Sequence, residues 1–134
     1  MPSPVRETRI ALVAEDHEAA VALYRDALGL PVVEAWDGPT GRGAVLDGGR
    51  ATIEVLSVAQ AEHVEAIEAA GGAPDRVRLA MEVQDSVAAA ERLEAAGAER
   101  VGGPVVTPWA HRNVRLRTPD GTQLTLFTVL ESSG

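Results

Sequence analysis

TPWAHRNVRLRTPDGTQLTLF, residues Thr107 to Phe127, reads as a strand, a tight turn and a second strand. Pro119-Asp120-Gly121 is the turn, because Pro fixes φ and Gly is free to take positive φ. Before it, Val114 and Leu116 alternate with Asn113, Arg115 and Arg117. After it, Leu124 and Leu126 alternate with Gln123, Thr125 and Phe127. Period-two alternation gives a sheet with one apolar face and one face of a different character. That second face carries His111, Asn113, Arg115, Gln123 and Thr125. Turned inward it lines a site; turned outward it is a solvated sheet surface.

Working outward, the chain of 134 residues has the size of one ordinary domain with a core of its own. It has no Cys, which removes disulfides, thiolate metal sites and a Cys nucleophile. The formal net charge of -8 argues against nucleic acid and anionic membranes as partners. MPSPVRETRI at the start lacks the apolar run of a signal peptide, and no apolar run approaches the roughly 20 residues of a membrane span. The expectation is a soluble cytoplasmic protein. All 12 basic residues are Arg. A GC-rich coding sequence explains that bias, and it also supplies planar donors suited to carboxylates wherever an Arg is buried.

In chain order, Arg9 to Val13 reads as a strand and Asp16 as the N-cap of a helix over about 17–28. Gly29 closes that helix. Val32–Trp36, Ala44–Asp47 and Ala51–Val58 read as strands, and Asp37–Gly41 as a loop. Residues 59–70 read as a helical linker. The order then restarts with a strand over Arg76–Val83, a helix capped by Asp85 and running to about Ala96, and a strand over Glu99–Val101. Gly102-Gly103-Pro104 reads as a loop before the hairpin quoted above. The halves also match residue by residue: Arg9-Ile10-Ala11-Leu12 lies against Arg78-Leu79-Ala80-Met81, and Thr52–Leu56 against Gln123–Phe127. The order β-α-β-β-β thus occurs twice, an internal duplication. The fold class expected is α+β, one domain over 1–134, with module one at about 7–58, a linker at 59–75 and module two at about 76–130. Ile10, Leu12, Ile53, Val55, Leu79 and Met81 face the helices. Arg9, Ala11, Thr52, Glu54, Arg78, Ala80 and Thr125 face the other way, toward one concave surface.

The repeated order, the helix Ala22-Leu23-Tyr24-Arg25-Asp26-Ala27-Leu28-Gly29-Leu30 and the Pro119-Asp120-Gly121 turn before a last apolar strand resemble the vicinal oxygen chelate superfamily. That superfamily holds glyoxalases, extradiol dioxygenases and bleomycin-resistance proteins. The resemblance spans about residues 7–130 and implies two βαβββ modules forming a cupped mixed sheet, often completed across a homodimer. Its metal enzymes take a His, Glu or Gln ligand from the first and last strand of each module. Carried over, those positions fall on Arg9, Glu54, Arg78 and Thr125. Glu54 alone among them is a metal donor of that kind, and Arg cannot be deprotonated to become one. His17, His63 and His111 fall elsewhere. The expectation is a cup without metal or cofactor.

In that cup Glu54 lies between Arg9 and Arg78. Two readings stand together: a salt-bridge triad that replaces the metal, and guanidinium edges left open for a ligand oxyanion. Trp109 at the hairpin start and Trp36 before the Asp37–Gly41 loop suit stacking on a flat ligand, or packing at a dimer interface. His111, Asn113, Arg115 and Thr125 complete the candidate lining. Two functions follow. One is a protein that binds a small planar or anionic molecule, similar to drug-binding resistance proteins and working as a homodimer. The other is an enzyme of the same fold, a lyase, isomerase or dioxygenase-like protein, with His111 or Glu54 in acid/base roles or with a metal not placed here.

Overall fold

The computed structural model describes residues 7, 9–51, 54, 57–68, 75 and 77–131. They fall into two compact units, Met1–Val55 and Leu56–Gly134.

The second unit holds a complete βαβββ module. Its elements are β3 (Leu79–Glu82), α3 (Ser86–Ala95), β4 (Glu99–Val106), β5 (His111–Arg117) and β6 (Gln123–Val129). The sheet order is β3-β6-β5-β4, with β3 parallel to β6 and the other pairs antiparallel. The quoted stretch is its central hairpin, in the register Arg115↔Thr125 and Arg117↔Gln123. Gly121 takes φ +88 at the turn, where its N–H donates to the Thr118 carbonyl at 2.9 Å. Asp85 caps α3 by accepting from the Ala88 N–H at 3.1 Å. Gly97, at φ +109, ends that helix. The expected loop at Gly102-Gly103-Pro104 is instead absorbed into β4, which bulges there and carries a cis Gly103–Pro104 bond.

α3 lays Ala89, Ala90 and Leu93, none of them exposed, against Val114, Leu116, Leu124 and Leu126, which are equally closed to solvent. This is the apolar core. The opposite face is covered too, by α2 (Val58–Glu68), which packs on β4 and β5. The segment expected to be a helical linker forms that helix, and it roofs the sheet. As a result residues 113 to 116 are all buried, regardless of which face they point to.

The first unit contains α1 (His17–Ala22), continued by a π-helical turn at Leu23–Ala27, and a hairpin of β1 (Val32–Gly38) and β2 (Gly41–Leu46). Asp16 caps α1 by accepting from the Ala19 N–H at 3.0 Å. The expected loop over Asp37–Gly41 shrinks to a turn around Pro39-Thr40, since the strands pair as far as Gly38↔Gly41. Two strand expectations are corrected. Among the described residues Arg9–Val13 joins no ladder, and Ile10, Leu12 and Val13 are exposed. Ala51, Glu54 and Ser57 are not in a strand, and Val58 begins α2; Thr52, Ile53, Val55 and Leu56 lie outside the described residues. The physical reason is that alternating apolar residues suit a strand, whereas a ladder requires a neighbouring edge to supply its hydrogen bonds. Arg76, expected at the start of β3, also lies outside the described residues.

Leu93 is fully enclosed between α3 and the sheet. Leu93→Ala is expected to lower unfolding free energy by about 2–5 kcal/mol, the scale of a large-to-small core change, as read by urea denaturation.

Candidate functional site

Strand pairing places Arg78, Ala80 and Glu82, Gln123, Thr125 and Phe127, and Arg115, Asn113 and His111 in adjacent rows on one face of the second sheet. Five of the expected site residues (Arg78, His111, Asn113, Arg115 and Thr125) therefore share a face. α2 roofs one end of it, and two carboxylates project from the roof. Arg115, fully buried, donates from Nη1 to Glu65 Oε1 at 2.6 Å and from Nη2 to Glu68 Oε1 at 2.7 Å. Nη1 also donates to Gln123 Oε1 at 3.0 Å. Asn113 Nδ2 donates to the second oxygen of Glu68 at 2.8 Å. Arg78 approaches Glu65 Oε1 at 3.6 Å, a looser contact at the margin of the cluster. Two guanidinium groups, Arg115 fully buried and Arg78 at the margin, thus balance two buried carboxylates, the condition under which buried charges are tolerated.

Three polar atoms in this cluster have no hydrogen-bond partner among the described residues: Arg115 Nε, Asn113 Oδ1 and Thr125 Oγ1. α2 satisfies the charges but leaves a donor, an acceptor and a hydroxyl unused.

The other end of the same face is more open. His111 stacks on Phe127 with ring centroids 4.9 Å apart and 14° between planes. Ala80 and Glu82, beside them in β3, are exposed. Trp109 lies in the turn before β5 and is 41% exposed.

In the first unit, an open cleft of about 600 Å³ is lined by His17, Glu18, Arg25, Trp36, Asp37 and Arg42, among others. Trp36 pairs across the hairpin with Gly43, and its indole lies so close over that residue that a Cβ there would collide with the ring. Arg25 is held by Asp26, which accepts from its Nε at 2.8 Å and its Nη2 at 2.9 Å. This hydrogen-bonded pairing raises the guanidinium pKa and lowers that of the carboxyl. Arg9 pairs with Glu7 at 2.8 Å, and Glu54 is exposed.

The positions expected from the resemblance to carry metal ligands are Arg9, Glu54, Arg78 and Thr125, and among the described residues Arg9 and Glu54 lie in no strand. Arg78 directs its guanidinium at a carboxylate, as a cation would, and so competes with a metal instead of ligating one. The donor set does not fit a metal. Among the described residues, no three His, Asp or Glu side chains are grouped to hold one.

A family model for the Glyoxalase/Bleomycin resistance protein/Dioxygenase superfamily matches residues 8–126. The chain belongs to that superfamily. Solved structures of similar fold include a glyoxalase family protein from Bacillus cereus, at 17% identity and TM-score 0.62, with 97% of each chain covered. TioX from Micromonospora sp. ML1 is 22% identical, with TM-score 0.59 and coverage of 96% of this chain and 99% of that one. TnmS3, an antibiotic binding protein from Streptomyces sp. CB03234, is 21% identical, with TM-score 0.56 and coverage of 92% and 99%. No curated protein matches the chain. No described helix of this superfamily member is long and apolar enough to cross a membrane.

Sequence reading missed Glu65 and Glu68. Their spacing carried a signal, because residues three apart on a helix share a face, and here that face also bears Val64. Two acids beside an apolar anchor call for a buried basic partner, and Arg115 is that partner.

Glu68→Ala removes an acceptor from both Arg115 and Asn113. It is expected to cost about 3–5 kcal/mol in denaturant unfolding, the range for breaking a buried pair from one side. Arg25→Ala, which breaks an exposed pair, leaves the midpoint unchanged.

Proposed function

We propose that this superfamily member binds a small planar molecule bearing an oxyanion, without a metal, as drug-binding members of the fold do. One observation carries the reading: on the polar face of the second sheet, Arg115 and Arg78 converge on carboxylate oxygens, so that face is built to hold anionic oxygen instead of a cation. The antibiotic binding described for TnmS3, a protein of similar fold, supports it further. Arg78, at the margin of the cluster, is the anchor for the ligand oxyanion, assisted by Asn113, Arg115 and Thr125. Trp109 is the flat wall, and His111 on Phe127 extends it. Arg9, Glu54 and Trp36 are the corresponding ligand-facing residues of the first repeat. The working form is a cytoplasmic homodimer. A two-stranded hairpin is marginal alone, and among the described residues β1–β2 has edges open to pairing, which supports association.

Titration with planar aromatic oxyanions is expected to quench Trp fluorescence. Trp109→Ala weakens binding by about 1–2 kcal/mol, the scale of lost aromatic packing. Arg78→Ala weakens it more, through loss of a charge-assisted bond, and that contribution shrinks as salt rises. Arg50→Ala is the control. If ligands bind and neither Trp109→Ala nor Arg78→Ala differs from the parent, the site lies on another surface.

Elemental analysis of protein purified without chelator is expected to find no stoichiometric Zn, Ni, Mn or Fe. Such a metal bound through Glu54 overturns the reading and favours an enzyme. Sedimentation at micromolar concentration is expected to give a dimer.

A further inference from the structure

We infer that α2 is a displaceable lid whose Glu65 and Glu68 carboxylates occupy an anion site on the second sheet, standing in for the oxyanions of a planar dianion such as an aromatic dicarboxylate. The inference rests on the binding reading above and identifies both what its ligand must displace and what charge it must bring.

Three observations lead there. The first is the way α2 is held. Val64 is the one fully buried apolar side chain of α2 among its described residues; Ala61 and Ile67 are half-buried, and Val58 at its start is 70% exposed. Beside this limited apolar contact, the helix is held by the pair of carboxylates on Arg115. An attachment made of charge can be exchanged for another anion at little net cost, because the guanidinium stays paired throughout. An attachment made of apolar area has no such substitute.

The second observation is the incomplete fit. Arg115 Nε, Asn113 Oδ1 and Thr125 Oγ1 belong to residues more than nine-tenths buried, and none has a partner among the described residues. A helix roof permanently matched to this face would be expected to satisfy them. A ligand with two oxyanions satisfies Arg115, including its Nε, together with Arg78 and the Thr125 hydroxyl.

The third is position. The open end of the same face carries the His111–Phe127 stack, a flat surface running up to the roofed end. A planar body lying there carries its anionic edge toward Arg115 and Arg78. Lid and ligand then compete for the same guanidinium groups, and the apparent affinity is reduced by the fraction of molecules in which α2 is lifted.

The test uses the full chain with phthalate as probe and neutral dimethyl phthalate as control. Binding is measured by calorimetry, α2 opening by hydrogen exchange, and folding by thermal melts. Phthalate is expected to speed exchange of amides 62–68 in the parent while amides 113–116 stay protected. E65Q/E68Q is expected to bind phthalate about tenfold tighter or more, since the competitor has lost its charge. Its Tm, lowered by the uncompensated Arg115, should rise more with phthalate than the parent's does. Dimethyl phthalate does none of these. If the double variant fails to fold even with phthalate, E65Q alone keeps the Glu68 pair and is expected to show a smaller gain of the same sign.

Phthalate binding that is sensitive to Arg78→Ala, with unchanged α2 exchange and no gain in affinity in the variants, overturns the lid and leaves the binding reading standing. Failure of phthalate to bind either the parent or the variants overturns the anion site beneath α2. The binding reading is then judged by the Trp fluorescence titrations alone.

Discussion

A guanidinium with no access to water must have its charge paired, and Arg115 imposes that demand on the second unit. It sits in β5, an inner strand of the four-stranded sheet, where a strand residue has no freedom to turn away. Its charge fixes what can cover the face: an apolar helix would leave it bare, at a cost of several kcal/mol. A helix presenting two acids three residues apart meets it on both terminal nitrogens. The roof over this sheet is therefore selected by electrostatics, whereas α3 on the other face is held by alanine and leucine packing.

The two faces differ in what a change does to them. On the α3 side, removing volume leaves a cavity, and the neighbours close in only partly. On the α2 side, removing one charge leaves its partner buried and uncompensated, which is costly even though no space is created. The same feature makes the α2 side exchangeable. Leucine side chains have no substitute in solution, whereas a carboxylate has any small carboxylate. A structural ion cluster and an anion-binding site are thus two states of one chemistry, differing in whose oxygen atoms are in contact with Arg115.

On the proposed reading, the second sheet carries a cation at a position where metal enzymes of the superfamily are expected to carry a donor. Arg78 illustrates the consequence. Where an imidazole or carboxylate would bring electron pairs to a metal, a guanidinium brings protons to an anion, and Glu65 meets it.

Period-two alternation in Thr107–Phe127 was enough to determine the central hairpin, because face assignment in a strand is set by parity. The capping aspartates, Asp16 and Asp85, were legible because one short carboxylate before a helix has one local task. The superfamily was legible from the repeat and the Pro119-Asp120-Gly121 turn. Membership of His111, Asn113, Arg115 and Thr125 in one face followed from the same parity. What covers that face did not follow, since Glu65 lies 50 residues from Arg115 and no local pattern encodes a contact at that separation. Nor could alternation at Arg9–Val13 reveal whether an edge was present to receive it. Local rules fix which side chains point together along one element. Which distant element meets them is decided only when the chain closes, by the requirement that buried charge be paired.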